Sequence, residues 1–124
     1  LELHGSVHRN RCERCGAFFD AEYMKKADGI PRCNSCGGPI KPDVVLYEES
    51  LDDEVITETI RYIQKADMLI IGGTSLVVYP AAGLVHYYKG HKLVLINKGE
   101  TGLDTQADLV IREPIGKVFS QVKI

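Results

Sequence analysis

The fold of this chain is decided by two short stretches, CERC at residues 12–15 and CNSC at residues 33–36. Residues 16–32 separate the two pairs, and the chain has no cysteine outside them. Two thiolates three positions apart on a tight turn can hold one metal ion from one side, and a second pair completes a tetrahedron. Sulfur-only tetrahedra suit Zn²⁺, so the spacing predicts a structural zinc site. The predicted zinc ligands are Cys12, Cys15, Cys33 and Cys36.

Other interpretations of the cysteines are weaker. Disulfides need an oxidising compartment, and the chain shows no secretory signal. A redox C-x-x-C motif usually occurs once, near a βαβ pattern, and not as a matched set. His4 and His8 flank the first pair, so a site of three cysteines and one histidine stays open. Four thiolates leave no free position on the metal, so we expect the zinc to hold shape and not to perform chemistry.

Size and composition narrow the class of protein. The chain has 124 residues, one average domain or less, and a net charge of −2 with acids and bases interspersed. No basic face therefore indicates a nucleic-acid partner, and no apolar run approaches the roughly twenty residues that span a bilayer. Reduced cysteines favour a cytoplasmic protein. The first residue is Leu1, followed by what resembles a strand end and a turn, so we expect the chain to begin inside a larger design.

Hydrophobic patterns predict strands that alternate with helices. Strands are predicted at 43–47, 68–71, 92–96 and 108–111, and helices at 52–65, 80–88 and 115–123. Ser50 is the expected N-cap of the first helix. Alternation of this kind predicts an α/β fold, a partial Rossmann-like parallel sheet with helices, beside a small four-cysteine zinc-ribbon module. Inside that module we expect an apolar patch over the metal, formed by Phe18, Phe19, Tyr23 and Met24.

Three segments follow predicted strands, where ligands bind in open parallel sheets. They are the glycine- and hydroxyl-containing turn at 72–75, the Asn97 segment at 97–100, and Ile115 with Gly116. From the residues alone, the first is equally well a tight turn that binds nothing, and for Asn97 the role of an Asx-turn residue is the better interpretation. No pairing of residues stands out as a general base or as a Ser/His/Asp arrangement.

Taken together, these segments resemble the carboxyl-terminal half of a sirtuin, the family of NAD-dependent protein deacylases. The resemblance rests on the cysteine pairs and on LHG at 3–5, PDVVLYEE at 42–49, GTSLVVYPAA at 73–82, LIN at 95–97 and ADLVI at 107–111. It implies three regions: a lead-in strand and turn of the large domain at 1–9, a zinc-binding module at 10–40, and the carboxyl half of the NAD-binding α/β domain at 41–124.

The resemblance also implies binding residues. NAD, as a co-substrate, would be bound on its adenosine side by Gly73, Thr74, Ser75, Asn97, Lys98, Gly99 and Ile115. An acyl-lysine protein or peptide would add as a strand between two loops formed by Tyr47, Glu48, Glu49, Leu76, Val77 and Val78. In that family the acyl oxygen attacks the ribose carbon that carries nicotinamide, nicotinamide leaves, and water then releases the lysine and an acylated ADP-ribose.

Two departures from the family pattern affect the expected function. Phe-Gly-Glu is usual where this chain has Tyr47-Glu48-Glu49, so we expect a stiffer and more negative peptide loop. The catalytic histidine and the Gly-Ala-Gly phosphate loop of the family would lie upstream of Leu1, and His4 is not that histidine. We therefore expect the chain alone to be inactive, and to pair with the missing amino-terminal half or to self-associate. The alternatives are a non-catalytic zinc-stabilised module that binds a peptide or partner, and a short paralogue that binds a nucleotide without catalysis.

Overall fold

A computed structural model describes residues 1–123, and its strands form two separate three-stranded sheets. The chain divides into two units, Leu1–Val55 and a second that begins at Ile56. The parallel sheet of the second unit and the cysteine cluster of the first confirm the predicted α/β fold class with its small cysteine module. Within residues 1–123, no helix has the length and apolar character needed to cross a bilayer.

The sheet of the first unit is antiparallel, with the strand order β2-β1-β3. Its strands are β1, Gly5–Cys12, β2, Phe18–Phe19, and β3, Ile40–Val44. The sequence predicts the third strand at 43–47, and this prediction is wrong by three residues. Ile40 lies opposite Cys12 and Val44 lies opposite Gly5, so the partner strand sets the ends of β3. β1 continues across the predicted region boundary between residues 9 and 10, and β3 continues across the one between residues 40 and 41. The division of the chain into three regions stays a prediction.

A small core joins this sheet to the cysteines. Cys12, Cys33, Phe19 and Ile40 are buried, and Tyr23 packs on Phe19 with 4.6 Å between the ring centroids. Tyr23 and Met24 belong to helix α1, Ala21–Lys25, whose N-cap Asp20 accepts a hydrogen bond from the Tyr23 N–H at 2.8 Å. The predicted patch is correct except for Phe18, which is 55% exposed. Successive side chains of a strand point to opposite faces, so Phe18 and Phe19 cannot both face the core.

The second unit contains a parallel sheet with the strand order β4-β5-β6. These strands are β4, Leu69–Gly72, β5, Leu93–Ile96, and β6, Leu109–Ile111. β5 lies in the centre, and its Leu95 is fully buried. Parallel strands bring their carboxyl ends to one edge of a sheet, so the segments that follow β4, β5 and β6 lie together.

Helix α2, Asp53–Lys65, confirms the predicted helix at 52–65, but its cap differs. Asp52, not Ser50, caps it, because the Asp52 carboxylate accepts hydrogen bonds from the backbone N–H groups of Glu54 and Val55 at 2.8 and 3.1 Å. A carboxylate adjacent to the first turn also interacts favourably with the helix dipole, which the Ser50 hydroxyl cannot match.

The two remaining predicted helices are shorter or of another type. The segment predicted as a helix at 80–88 forms a 3₁₀ helix, Ala81–Tyr87, with bonds such as Gly83 N–H to the Pro80 carbonyl at 3.0 Å. A helix predicted at 115–123 is α3, Ile115–Phe119. It ends where the Ser120 hydroxyl donates to the Lys117 carbonyl, a local bond that competes with further helical turns.

Candidate functional site

The four cysteines form a compact sulfur cluster. Their Sγ atoms all lie within 4.8 Å of one another, with Cys12 to Cys36 at 3.4 Å and Cys15 to Cys33 at 3.7 Å. A tetrahedral zinc site with Zn–S bonds of about 2.3 Å has S···S edges of about 3.8 Å. The cluster therefore fits a structural Zn²⁺, and within residues 1–123 the group of candidate metal ligands contains no histidine.

Two turns of the same construction present the sulfur atoms. In the first, the Gly16 N–H donates to the Cys12 carbonyl at 2.9 Å, and in the second the Gly37 N–H donates to the Cys33 carbonyl at 2.8 Å. Both glycines have positive φ angles, 73° and 72°, in a region that residues with a Cβ seldom occupy. Gly16 and Gly37 thus allow two turns of the same geometry, which together carry the four sulfur atoms of the cluster.

Gly38 allows the second turn to approach the first. A Cβ atom at this position would lie 2.8 Å from the Cβ of Arg14 and 2.9 Å from the Sγ of Cys12. Both distances are shorter than carbon and sulfur atoms tolerate, and neither neighbour is the free end of a flexible chain. A glycine is therefore required where the two halves of the cluster meet.

Backbone N–H groups prepare the thiols for a cation. Burial raises the pKa of Cys33, but the N–H groups of Ser35 and Cys36 lower it, to about 6. The pKa of Cys12 is lowered in the same way against burial, and the Arg14 N–H lies 3.4 Å from its sulfur.

Cys36 behaves in the opposite way. The Gly38 N–H lowers the pKa of Cys36, but the neighbouring thiols of Cys12 and Cys15 raise it to about 12. Four thiolates at this separation repel one another, and a divalent cation at the centre removes that repulsion.

A second candidate site is a pocket of about 400 Å³ at the carboxyl ends of the parallel strands. It is lined by Gly73, Ile96, Asn97, Lys98, Glu113, Pro114, Ile115 and Gly116. The strand ends build it directly, since the Gly73 N–H donates to the Ile96 carbonyl at 3.1 Å and the Asn97 N–H donates to the Ile111 carbonyl at 3.0 Å. Lys98 supplies a cation to this pocket and Glu113 an anion.

Ile115 reaches across the sheet edge. A Cβ atom at Gly72, the last residue of β4, would lie 2.3 Å from the Cδ1 of Ile115. The glycine therefore makes room for the isoleucine, which forms an apolar wall of the pocket beside the polar Asn97 and Lys98. One apolar wall and a few polar groups is the usual make-up of a small-molecule site.

Four of the seven residues predicted for the cofactor line this one pocket: Gly73, Asn97, Lys98 and Ile115. Of the other three, Thr74 accepts a hydrogen bond from the Leu76 N–H at 3.1 Å, and Gly99 accepts one from the Asn97 side chain at 3.1 Å. Ser75 is exposed. Sequence reasoning missed Ile96, Glu113 and Pro114, although the last two follow β6 and the rule about strand ends could have found them.

The first segment predicted to bind peptide, residues 47–49, lies in the first unit. Tyr47 is fully exposed, and Glu48 has a φ angle of 70°. The Leu46 N–H donates to the Glu49 carboxylate at 3.0 Å, and Lys41 lies 3.2 Å from it. These two contacts lower the pKa of Glu49, so they favour its charged carboxylate and fix that carboxylate beside the loop.

The other segment predicted to bind peptide, residues 76–78, lies in the second unit. Leu76 has a φ angle of 55°, and Val77 and Val78 are 71% and 63% exposed. Apolar side chains in this state leave surface available for a ligand. The peptide-binding roles of both segments stay predictions.

Comparison with known proteins gives a consistent match. The model of the Sir2 family matches residues 1–80. An NAD-dependent protein deacetylase of Clostridium acetobutylicum is 61% identical over 122 residues, which cover 98% of this chain and 50% of that protein. An NAD-dependent protein deacetylase of Staphylococcus aureus is 43% identical over 125 residues, and the matched region covers 98% of this chain and 49% of that protein. This chain therefore spans about half the length of the curated relatives it matches.

Solved structures agree with this result. The structure of Sir2 with a p53 peptide and NAD⁺ superposes with a TM-score of 0.81 at 36% identity, over 98% of this chain and 52% of that one. Sir2 bound to an acetylated peptide gives a TM-score of 0.80 at 34% identity, over 98% of this chain and 53% of that one.

Proposed function

Because this chain belongs to the Sir2 family, we propose that it supplies part of an NAD-dependent protein-lysine deacylase. Its contributions would be the adenosine side of the NAD site, one wall of the groove for an acyl-lysine peptide, and a structural zinc. The observation that carries the proposal is the pocket at the ends of β4, β5 and β6, which collects Gly73, Asn97, Lys98 and Ile115.

The residues of this pocket suit an adenosine nucleotide. The Asn97 side chain has an amide that can pair with sugar hydroxyls, and Ile115 offers an apolar surface to a base. Gly73 lets a phosphate or sugar approach the backbone, and the Lys98 ammonium matches a phosphate charge. With NAD bound, the chemistry available is cleavage of its bond to nicotinamide, and this chain's part would be to bind and orient the adenosine half.

The zinc would hold the first unit in shape. Four thiolates complete a tetrahedral coordination shell, so no position is left for a substrate or an activated water. Segment 47–49 of the first unit and segment 76–78 of the second would each offer backbone groups for hydrogen bonds to an extended peptide. Pairing of that kind tolerates many peptide sequences and reads only the modified lysine closely.

The chain alone would not turn over substrate. The family's catalytic histidine and phosphate loop belong to a segment that this chain's sequence does not match, so deacylation would need the amino-terminal half of a relative. Without it, the edge strand β4 and its half-exposed Ile70 favour self-association. The proposed location is the cytoplasm, where thiolate–zinc sites persist.

The test is isothermal titration of the 124-residue chain with ADP-ribose and with NAD. We expect saturable binding that the Asn97→Ala variant weakens, and no weakening in Gln64→Ala, which removes an exposed amide from α2. Absence of binding by the wild-type chain would refute the nucleotide role. If such a chain still bound an acyl-lysine peptide, a non-catalytic peptide-binding module would be the correct description.

Two further measurements test the other parts of the proposal. Mass spectrometry under native conditions should give one zinc per chain, and loss of either cysteine pair should abolish it. A deacylation assay on the pure chain should give no NAD-dependent turnover. Turnover by the chain alone would show that it contains its own proton acceptor and would contradict the division of roles proposed here.

A further inference from the structure

Arg112 ties together two points of the loop that follows β5. It stands directly after β6, and its Nη1 donates to the Gly99 carbonyl at 2.7 Å while its Nη2 pairs with the Asp104 carboxylate. The planar guanidinium can hold two acceptors at once in a fixed geometry. Arg112 therefore links residue 99 to residue 104.

Asp104 is itself held at the same place. Its carboxylate accepts hydrogen bonds from the Thr101 N–H at 3.1 Å and from the Thr101 hydroxyl at 2.8 Å. The bond from Arg112 lowers the pKa of Asp104, so the carboxylate is charged at neutral pH. We call the set Gly99, Thr101, Asp104 and Arg112 the loop clamp.

The loop clamp reaches the nucleotide pocket through one atom. The Gly99 carbonyl, which accepts from Arg112, also accepts from the Asn97 Nδ2 at 3.1 Å. Asn97 lines the pocket, and neither Arg112 nor Asp104 does. With one Nδ2 hydrogen bonded to Gly99, the orientation of the Asn97 amide is set, and its Oδ1 can accept a hydrogen bond from a sugar hydroxyl.

We propose that Arg112 and Asp104 are positioning residues for the nucleotide pocket, fixing the Asn97-Lys98-Gly99 segment in the conformation that binds the adenosine part of a nucleotide. The proposal rests on the nucleotide role proposed above. A fixed loop has already lost the conformational freedom that a mobile loop would lose on binding, so the loop clamp raises affinity without touching the ligand.

Arg112 could instead act as a bare positive charge that attracts phosphate. The two explanations differ in which substitutions and which ligands they affect. Arg112→Lys keeps the charge but lacks the fork that reaches Gly99 and Asp104 together. Adenosine has no phosphate, so an attraction between charges would not affect its binding, whereas a misplaced loop would.

The experiment compares ADP-ribose and adenosine by isothermal titration. The proteins are the 124-residue wild-type chain, Arg112→Lys, Arg112→Ala and Asp104→Asn. The control is Arg61→Ala, which removes an arginine of equal charge from an exposed pair with Glu58 on α2. We expect both Arg112 variants to weaken both ligands about tenfold, as for loss of a charge-assisted hydrogen-bond network, and Arg61→Ala to change neither.

A second readout follows the loop itself. Backbone ¹⁵N relaxation should show a larger amplitude of picosecond-to-nanosecond motion at residues 97–99 in Arg112→Ala than in the wild type. The amplitude of motion in β5 should be the same in both proteins. Equal affinities in wild type and Arg112→Ala would overturn the proposal, as would full rescue by Arg112→Lys or an effect confined to ADP-ribose. If the wild-type chain binds neither ligand, the nucleotide role fails first and this proposal falls with it.

Discussion

Substitution of Gly38 by alanine tests whether the zinc site depends on close contact between its two halves. The new methyl group would lie 2.9 Å from the Cys12 sulfur and 2.8 Å from the Arg14 Cβ. Non-bonded heavy atoms prefer about 3.5 Å or more, so relief needs a movement of about 0.6 Å. A metal site tolerates ligand shifts of only about 0.2 Å. We therefore expect Gly38→Ala to weaken zinc binding about 10- to 100-fold, the range found when residues behind metal ligands are changed.

The measurement is competition for zinc against a chromophoric chelator, with the zinc-to-protein ratio checked by mass spectrometry. Gly102→Ala is the matched control, because a Cβ there meets no atom within 4 Å and its backbone conformation suits alanine. It should bind zinc as the wild type does. If Gly38→Ala and Gly102→Ala have the same zinc affinity, the close approach at Gly38 is not what shapes the tetrahedron, and the reasoning from Cβ distances is wrong.

Three other outcomes follow from the structure. Glu48→Gly should raise the free energy of unfolding by about 0.8 kcal/mol, because relief of a positive φ is worth about 1.5 kcal/mol and the freer unfolded chain offsets about 0.7 kcal/mol of it. A lower free energy of unfolding in denaturant titration would contradict this. Arg112 lowers the pKa of Asp104 below 3.8, so its stabilisation is present above that pH and is lost as the pH falls through the folded-state value. The gap in unfolding temperature between wild type and Asp104→Asn should therefore be full at pH 6 and narrow as the pH falls below 3.8, and a gap independent of pH would argue against the pair. Removal of zinc with a chelator should broaden the NMR signals of residues 10–40 and spare those of β5, and uniform loss of signals would count against separate units.

Local patterns were sufficient for the metal centre and for the parallel strands. The cysteine spacing is a property of two turns, and a buried strand such as β5 has its own apolar run, so neither needs knowledge of the rest of the chain. The limits of β3 were missed because they depend on pairing between Ile40 and Cys12, 28 positions apart. The choice between Ser50 and Asp52 as the cap was missed because both are good N-cap residues.

The pocket at the carboxyl ends of the parallel strands was predictable in part for a related reason. Asn97 and Ile115 follow strands, and the rule about strand ends identifies such positions from sequence. The same rule extends to Glu113, which follows β6, but Ile96 belongs to β5 itself, and only the folded backbone shows that it lines the pocket. The link from Arg112 to Gly99 and Asp104 matches no helical or strand period, so sequence periodicity gives no sign of it.

The unequal burial of the cysteines has a kinetic consequence. Cys12 and Cys33 are buried, whereas Cys15 is exposed to solvent. A competing chelator or an electrophile would therefore meet the Cys15 sulfur first, and exchange of a bound zinc ion would begin at that ligand. The residence time of the metal would then depend on one surface thiolate, whereas its affinity would depend on all four ligands and on the packing around Cys12 and Cys33.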